Sequence, residues 1–188
     1  MSKKISLLFI LLSCFFVVEG QKLVRFGLNF GLDAAVNKKS LGENFTVDKS
    51  TGFEVGAYVR VGSRFFGQAG GGYCINKMHL TRDTVSSAID LGQINIPLWG
   101  GLNIKTGKNT FFRCMLGVQY RNIVHVSNNG VDVTRSDFNR NNMDVIIGVG
   151  MDIAVFTLDV SFRKAILPLI PHAQHYQDVI NVSIGFLF

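Results

Sequence analysis

The chain has 188 residues, 47% of them hydrophobic, and a formal net charge of +6. This length predicts one domain, and the mild positive charge, with no segment rich in Lys or Arg, argues against nucleic-acid binding. Such a charge suits a basic rim against anionic lipid headgroups.

The amino-terminal segment has the pattern of a secretory signal peptide. Lys3 and Lys4 precede an apolar run over residues 5–18, which is shorter than the roughly 20 residues of a membrane-spanning helix. We expect cleavage before Gln21, which gives a signal peptide over residues 1–20 and a mature domain over residues 21–188. Residues 11–14 weakly resemble a lipoprotein cleavage site, but the apolar run continues past Cys14.

The mature domain alternates apolar and polar residues with a period of two and shows no amphipathic helical period. Eight segments carry this alternation and are predicted as strands: 24–33, 52–62, 65–78, 93–104, 112–121, 143–152, 156–163 and 176–188. Pro97 cannot donate a ladder hydrogen bond, so we expect a bulge or local irregularity there. Cys74 and Cys114 fall on opposite faces of their strands, and we therefore expect no disulfide between them.

The last predicted strand is apolar on one face and ends in an aromatic residue. This pattern is typical of the closing strand of an outer-membrane barrel, where the apolar face meets lipid. We interpret that face as a signal read by the barrel-assembly machinery, and it comprises Tyr176, Ile180, Val182, Ile184, Phe186 and Phe188.

The predicted connections alternate in length, with long polar ones over 34–50, 79–86, 127–141 and 167–175. Short ones fall near 62–64, 106–109 and 152–155. A barrel with both termini in the periplasm has this asymmetry. The sequence therefore predicts an all-β fold: an eight-stranded antiparallel up-and-down transmembrane β-barrel, monomeric and integral to the bacterial outer membrane.

The polar face of the predicted strands is rich in glycine and carries charges of both signs. Small residues suit a narrow interior, and buried charges must be paired. We predict a charge network that fills the lumen, formed by Arg25, Glu54, Arg60, Arg113, Arg121, Asp144, Asp152, Asp159 and Arg163. The alternatives are a conducting pore lined by these charges and, if the domain is soluble, a lipocalin-like barrel.

Histidine and serine residues offer weak candidates for chemistry. His172 and His175 are three apart with no third ligand in view, which is a poor metal signature. His79 and His125 lie near predicted strand ends, and His125 with Ser127 suggests a lipid hydrolase that lacks an orienting acid. We therefore predict no metal, no cofactor and no enzymatic activity.

Several strand motifs resemble a known family. Phe-Gly-Leu-Asn-Phe-Gly-Leu at 26–32, Thr-Gly-Phe-Glu-Val-Gly-Ala-Tyr-Val at 51–59, Gln-Ile-Asn-Ile-Pro-Leu at 93–98 and the final Ser-Ile-Gly-Phe-Leu-Phe are similar to PorT-like outer-membrane β-barrel proteins of Bacteroidetes-type bacteria. Asn95 departs from that family, which often has an acidic residue there. The resemblance implies an accessory role in protein secretion or envelope biogenesis.

The leading functional hypothesis is a non-enzymatic envelope protein that acts through its extracellular loops. Its expected partners are outer-membrane lipid and lipopolysaccharide, with a further envelope or secretion protein as another candidate. A small porin and an outer-membrane lipid-modifying enzyme are the alternatives.

Overall fold

The computed structural model describes residues 24–36, 39–40, 45–82, 85–127, 138–169 and 176–188. The strands within these residues are β1 (Val24–Ala35), β2 (Lys39–Ser40), β3 (Phe45–Gly62), β4 (Phe65–Arg82), β5 (Val85–Lys105), β6 (Thr110–Val126), β7 (Asn141–Ile153), β8 (Phe156–Ala165) and β9 (Val179–Leu187). In this part of the chain no helix is long and apolar enough to span a membrane. The predicted signal peptide lies outside the described residues.

Eight of the strands form one closed antiparallel sheet. From β3 to β9 each strand pairs with the next in sequence, and β1 pairs with both β9 and β3, so the sheet closes on itself. The two-residue β2 pairs only with the start of β3. Phe26 and Phe188 exchange two backbone hydrogen bonds of 3.1 and 2.8 Å that extend the β1–β9 seam. The predicted eight-stranded up-and-down barrel is confirmed.

Short turns join the strands at one end of the barrel. They lie between β3 and β4, between β5 and β6 and between β7 and β8, as predicted. Gly62 leaves β3 with a φ of 118°, a conformation that glycine adopts without steric cost. By the usual asymmetry of such barrels this is the periplasmic end.

Two of the predicted long connections are mostly strand. β4 runs to Arg82 and β5 begins at Val85, so the predicted 79–86 connection was wrong. The predicted 34–50 connection was also wrong, because β1 continues to Ala35 and β3 begins at Phe45. Polar residues occupy both alternation phases there, which removes the sequence signal, while the backbone ladder continues through pairs such as Thr46 with Thr81.

Two smaller differences concern strand edges and register. Tyr176 precedes β9, which begins at Val179, although the alternation predicted it within the last strand. Pro97 interrupts the β4–β5 ladder between Ala69–Leu98 and Gly72–Asn95 without changing the register, which confirms the local irregularity expected there. The register shift of β5 lies instead at Gly92/Gln93, opposite β6.

The two faces of the barrel are inverted relative to a water-soluble protein. Large apolar side chains point outward, for example Phe26, Leu116 and Ile184 with 62%, 61% and 62% of their surface exposed. Arginine side chains such as Arg60 and Arg113 point inward and are fully buried. An apolar outside and a polar inside are what a barrel surrounded by lipid requires.

Candidate functional site

The lumen holds a first group of paired charges near its periplasmic end, called here the lower cluster: Arg60, Arg113, Asp152 and Asp159. Asp152 contacts both arginines, with N–O distances of 2.7 Å to Arg60 and 3.1 Å to Arg113. Arg113 also contacts Asp159 at 2.6 Å. The arginines come from β3 and β6 and the aspartates from β7 and β8, so these pairs join strands across the lumen.

Aromatic rings cover the other side of Arg60. Its guanidinium carbon lies 5.0 Å from the centre of the Phe66 ring and 5.5 Å from that of Tyr58, which are cation–π distances. Arg60 also donates a 3.0 Å hydrogen bond to Gln68. An acid, an amide and two aromatic rings therefore surround this buried cation.

A second group, the upper cluster, consists of Asp33, Glu54, Cys74 and Arg163. Arg163 lies 2.6 Å from Asp33 and 3.1 Å from Glu54. Two amides complete it, because Asn181 donates to Asp33 at 2.6 Å and Asn95 donates to Glu54 at 2.8 Å. All four members of the cluster are buried.

A separate ion pair joins Arg121 of β6 to Asp144 of β7. Two contacts connect them, Nε to Oδ2 at 2.6 Å and Nη2 to Oδ1 at 2.8 Å. The second contact is a charge-assisted hydrogen bond, and the first adds a close ion-pair contact. The structure thus pairs eight of the nine residues predicted for the lumen network, distributed over these three groups.

Arg25, the ninth residue, stands apart. It is half-buried at the periplasmic mouth and, among the described residues, lies within 4.0 Å of no carboxylate. It lines a recess of about 580 Å³ with Arg64, Lys105 and Phe111. The sequence reasoning placed it in the network by alternation alone, which fixes the face of a residue but not its height.

The sequence reasoning missed Asp33 and Cys74. Asp33 faces inward on β1. Its partners Arg163 and Asn181 are distant in sequence, Asn181 by 148 residues, and only closure of the barrel at β1 brings them close. Cys74 donates its thiol hydrogen to Asp33 over 3.4 Å. Alternation gave the right face for both residues, but neither carried a signal for its partner.

Glycines make room for this packing. A Cβ added at Gly150 would collide with the Asp159 carboxylate and come close to Arg113, and one added at Gly27 would collide with the Tyr58 ring. A partly open cavity of about 50 Å³ lies in the lumen and is lined by residues that include Glu54, Trp99 and Arg163. That volume holds only a few water molecules.

An apolar cap covers the extracellular side of the lumen charges. Its members are at most 4% exposed and come from β4, β5, β6 and the connections after β6 and β8: Met78, Ile89, Leu91, Ile123, Phe138 and Leu169. The two connections are joined by a 2.8 Å hydrogen bond from Asn139 to Leu169. The alternation of the sequence does not reveal this cap, whose signal is a switch of the inward face from polar to apolar.

The predicted assembly face lies on the outside. Ile180, Val182, Ile184, Phe186 and Phe188 are all exposed along or just after β9, and Tyr176 is exposed before it. Phe186 contacts Phe156 of β8 with ring centres 5.3 Å apart. Recognition of this face by assembly machinery stays a prediction.

Two histidines and one serine that were considered for metal binding or hydrolysis lie on the extracellular side. His79 and His125 are exposed, and Ser127 Oγ accepts a 2.8 Å hydrogen bond from the backbone amide of Asp90. His172 and His175 lie outside the described residues. Cys114 is exposed on the outer face and Cys74 is buried, and both are free thiols.

Comparison with known proteins assigns the class. Residues 18–170 match the family described as "Outer membrane protein beta-barrel domain", and the chain belongs to this family. It is an integral outer-membrane β-barrel protein, as the sequence predicted. No curated protein matches the chain.

Solved structures of outer-membrane proteins have a similar fold. Ail of Yersinia pestis, in complex with the heparin analogue sucrose octasulfate, has 12% identity and a TM-score of 0.50, with 88% of this chain and 99% of that chain covered. The amino-terminal barrel of Pseudomonas aeruginosa OprF has 13% identity and a TM-score of 0.38, with coverages of 90% and 100%. The narrower resemblance to PorT-like proteins stays a prediction.

Proposed function

We propose that this chain is a non-conducting, non-enzymatic outer-membrane protein that works by binding at its extracellular end. The filled lumen supports the first part, because ion pairs bridge it and the apolar cap covers it. An eight-stranded barrel is just wide enough for its own side chains. The lumen of this barrel therefore serves stability, and the small-porin alternative is disfavoured.

The observation that carries the proposal is the unequal length of the strands. β3, β4, β5 and β6 have 18, 18, 21 and 17 residues, whereas β7, β8 and β9 have 13, 10 and 9. About 9–11 residues suffice for a tilted strand to cross a membrane. The surplus forms a four-stranded wall that projects from the extracellular side, supported at its base by the apolar cap.

Charge on the outer surface at this end indicates what the protein binds. Lys77 is exposed in the extracellular half of β4, Arg140 is exposed just before β7, and Lys164 is exposed near the end of β8. Cations at that level lie beside the phosphate groups of lipopolysaccharide, the partner that we propose. The Ail structure holds the polyanion sucrose octasulfate, so a barrel of this architecture is compatible with a polyanionic ligand.

The experiment compares two sets of charge reversals in purified, folded protein titrated with lipopolysaccharide micelles. We expect the triple variant Lys77→Glu, Arg140→Glu, Lys164→Glu to bind at least tenfold more weakly, since each cation near an anionic surface contributes about 1 kcal/mol. The control is Arg64→Glu, Lys105→Glu, Lys108→Glu, which makes the same charge change at the periplasmic end. Equal binding by both variants would contradict the proposal.

The secretion role implied by the PorT resemblance would use the same projecting wall. A strain that lacks this chain decides between the two roles. Impaired protein secretion with unchanged lipopolysaccharide binding in the charge-reversed protein would favour the secretion role over the one proposed here.

A further inference from the structure

Three side chains of the upper cluster form a compact set of metal-ligand atoms. Asp33, Glu54 and Cys74 each place one carboxylate oxygen or sulfur atom within 4.8 Å of the other two. They come from β1, β3 and β4, which are adjacent strands, and Glu54 is directly opposite Cys74 in the β3–β4 register. The group is buried, and Cys74 is fully so.

The hydrogen bonds from Arg163 and the two amides use one oxygen of each carboxylate. Arg163 and Asn181 both bind Oδ1 of Asp33, each at 2.6 Å. Arg163 and Asn95 likewise both donate hydrogen bonds to Oε2 of Glu54. The Cys74 thiol faces the other oxygen of Asp33, Oδ2, at 3.4 Å.

That separation is the one expected between two ligands of a single metal ion. Zinc bonds of about 2.3 Å to sulfur and about 2.0 Å to oxygen, at a tetrahedral angle, place the two ligand atoms about 3.5 Å apart. A metal ion would therefore take the position of the thiol proton with little movement of Cys74 or Asp33.

Two buried amides beside the group point independently to a missing partner. Gln93 is directly opposite Cys74 in the β4–β5 register, is 1% exposed, and neither its Nε2 nor its Oε1 has a hydrogen-bond partner among the described residues. Asn95 holds Glu54 through Nδ2, while its Oδ1 has no such partner either. An unpaired buried polar group costs about 1–3 kcal/mol, so both amide oxygens gain from a nearby cation.

The local charge also favours a divalent cation. Asp33, Glu54 and Arg163 together carry one net negative charge inside the barrel. A divalent ion bound with the Cys74 thiolate cancels this charge, because the ion adds two positive charges and the thiolate one negative charge. The thiol proton is released to water when the ion binds.

We propose that Asp33, Glu54 and Cys74 form a binding site for a borderline-soft divalent transition-metal ion of the Zn²⁺ type, with an amide oxygen of Gln93 or Asn95 as a further ligand. The thiolate selects against Mg²⁺ and Ca²⁺, which prefer oxygen ligands alone. The ion would link β1, β3, β4 and β5 beneath the apolar cap. This site is separate from the extracellular surface, and its test does not depend on that surface.

Cobalt titration tests the sulfur ligand. We expect Co²⁺ added to folded protein in detergent micelles to give a thiolate-to-cobalt absorption band that saturates at one equivalent and disappears when Zn²⁺ is added. Cys74→Ser removes the band and the control Cys114→Ser, at the exposed cysteine, keeps it. Migration on gels before and after boiling verifies that each variant is folded.

A second comparison tests the oxygen ligands and remains decisive if Cys74→Ser does not fold. Asp33→Asn is expected to weaken Zn²⁺ binding at least about tenfold, since even loss of an outer-shell partner costs roughly 10–100-fold. Asp159→Asn, the control at a lumen carboxylate of the lower cluster, leaves the affinity within twofold. Absence of the band in the unaltered protein, a band that persists in folded Cys74→Ser, or equal weakening by both aspartate changes would overturn the proposal.

Discussion

At the scale of single residues, charge pairing in a confined space governs the lumen. Arg60 and Arg113 are fully buried, and each contacts at least one carboxylate. Removing one partner of a buried pair leaves a charge that neither water nor protein stabilises, which typically costs about 3–5 kcal/mol and less where water enters. The alternation of the sequence predicted which residues face inward. It could not predict which of them pair, because the partners come from strands that only barrel closure brings together.

The Arg121–Asp144 pair offers the cleanest measurement of such an interaction. Asp144→Asn is expected to lower the free energy of unfolding by about 2–4 kcal/mol, because Arg121 is left buried without an acid. The double variant Arg121→Gln, Asp144→Asn restores part of the loss. Urea unfolding followed through Trp99, the only tryptophan, measures both effects. The control Lys108→Gln removes an exposed charge and shifts stability by no more than about 0.5 kcal/mol; a similar small shift for Asp144→Asn would refute the pairing.

Glycine packing gives a second residue-scale prediction. Gly150→Ala places a methyl group against Asp159 and Arg113 and is expected to cost about 1–3 kcal/mol through overpacking. Gly71→Ala makes the same change on β4, where nothing lies within 4 Å of the added carbon. It is expected to be neutral or slightly stabilising. Equal melting temperatures for the two variants would show that the lumen is looser than its contacts indicate.

At the scale of elements, the sequence predicted the strands well in the membrane, where contact with lipid requires one apolar face. It predicted them poorly in the extracellular extensions, where no such requirement holds. All eight barrel strands were found, but the extracellular extensions of β3, β4 and β5 were read as loops. There polar residues occupy both alternation phases, which removes the sequence signal, while the backbone ladder continues. The apolar cap was missed for a related reason, since Phe138 and Leu169 reach it from connections with no period at all.

The seam between β1 and β9 yields the element-scale prediction. Phe188 points outward, and its backbone pairs with Phe26 where the barrel closes. Phe188→Lys is expected to cut the yield of assembled barrel several-fold, although a charge near the interface costs only about 0–1 kcal/mol in the finished barrel. The loss therefore arises during assembly, and heat-modifiable migration of outer-membrane fractions measures it. Asn109→Lys, in an exposed periplasmic turn, serves as the control, and equal yields would count against this role of the seam.

At the scale of the whole molecule, three layers follow one another along the barrel axis. A basic periplasmic mouth with Arg25 comes first, then the paired charges, then the apolar cap beneath the projecting wall. Fold and location could be predicted from the sequence because they depend on alternation and composition. The order of the layers could not, because it depends on the relative heights of residues on different strands, which the register determines.

The central claim is that the lumen is a packed interior and not a pore, and single-channel recording in planar lipid bilayers tests it most directly. The unaltered protein is expected to give no stable conductance steps. Glu54→Ala, which leaves Arg163 with Asp33 as its remaining acid, is expected to lower the melting temperature and still not conduct. Stable steps in the unaltered protein, with an ion preference that shifts in Glu54→Ala while melting stays unchanged, would contradict the account.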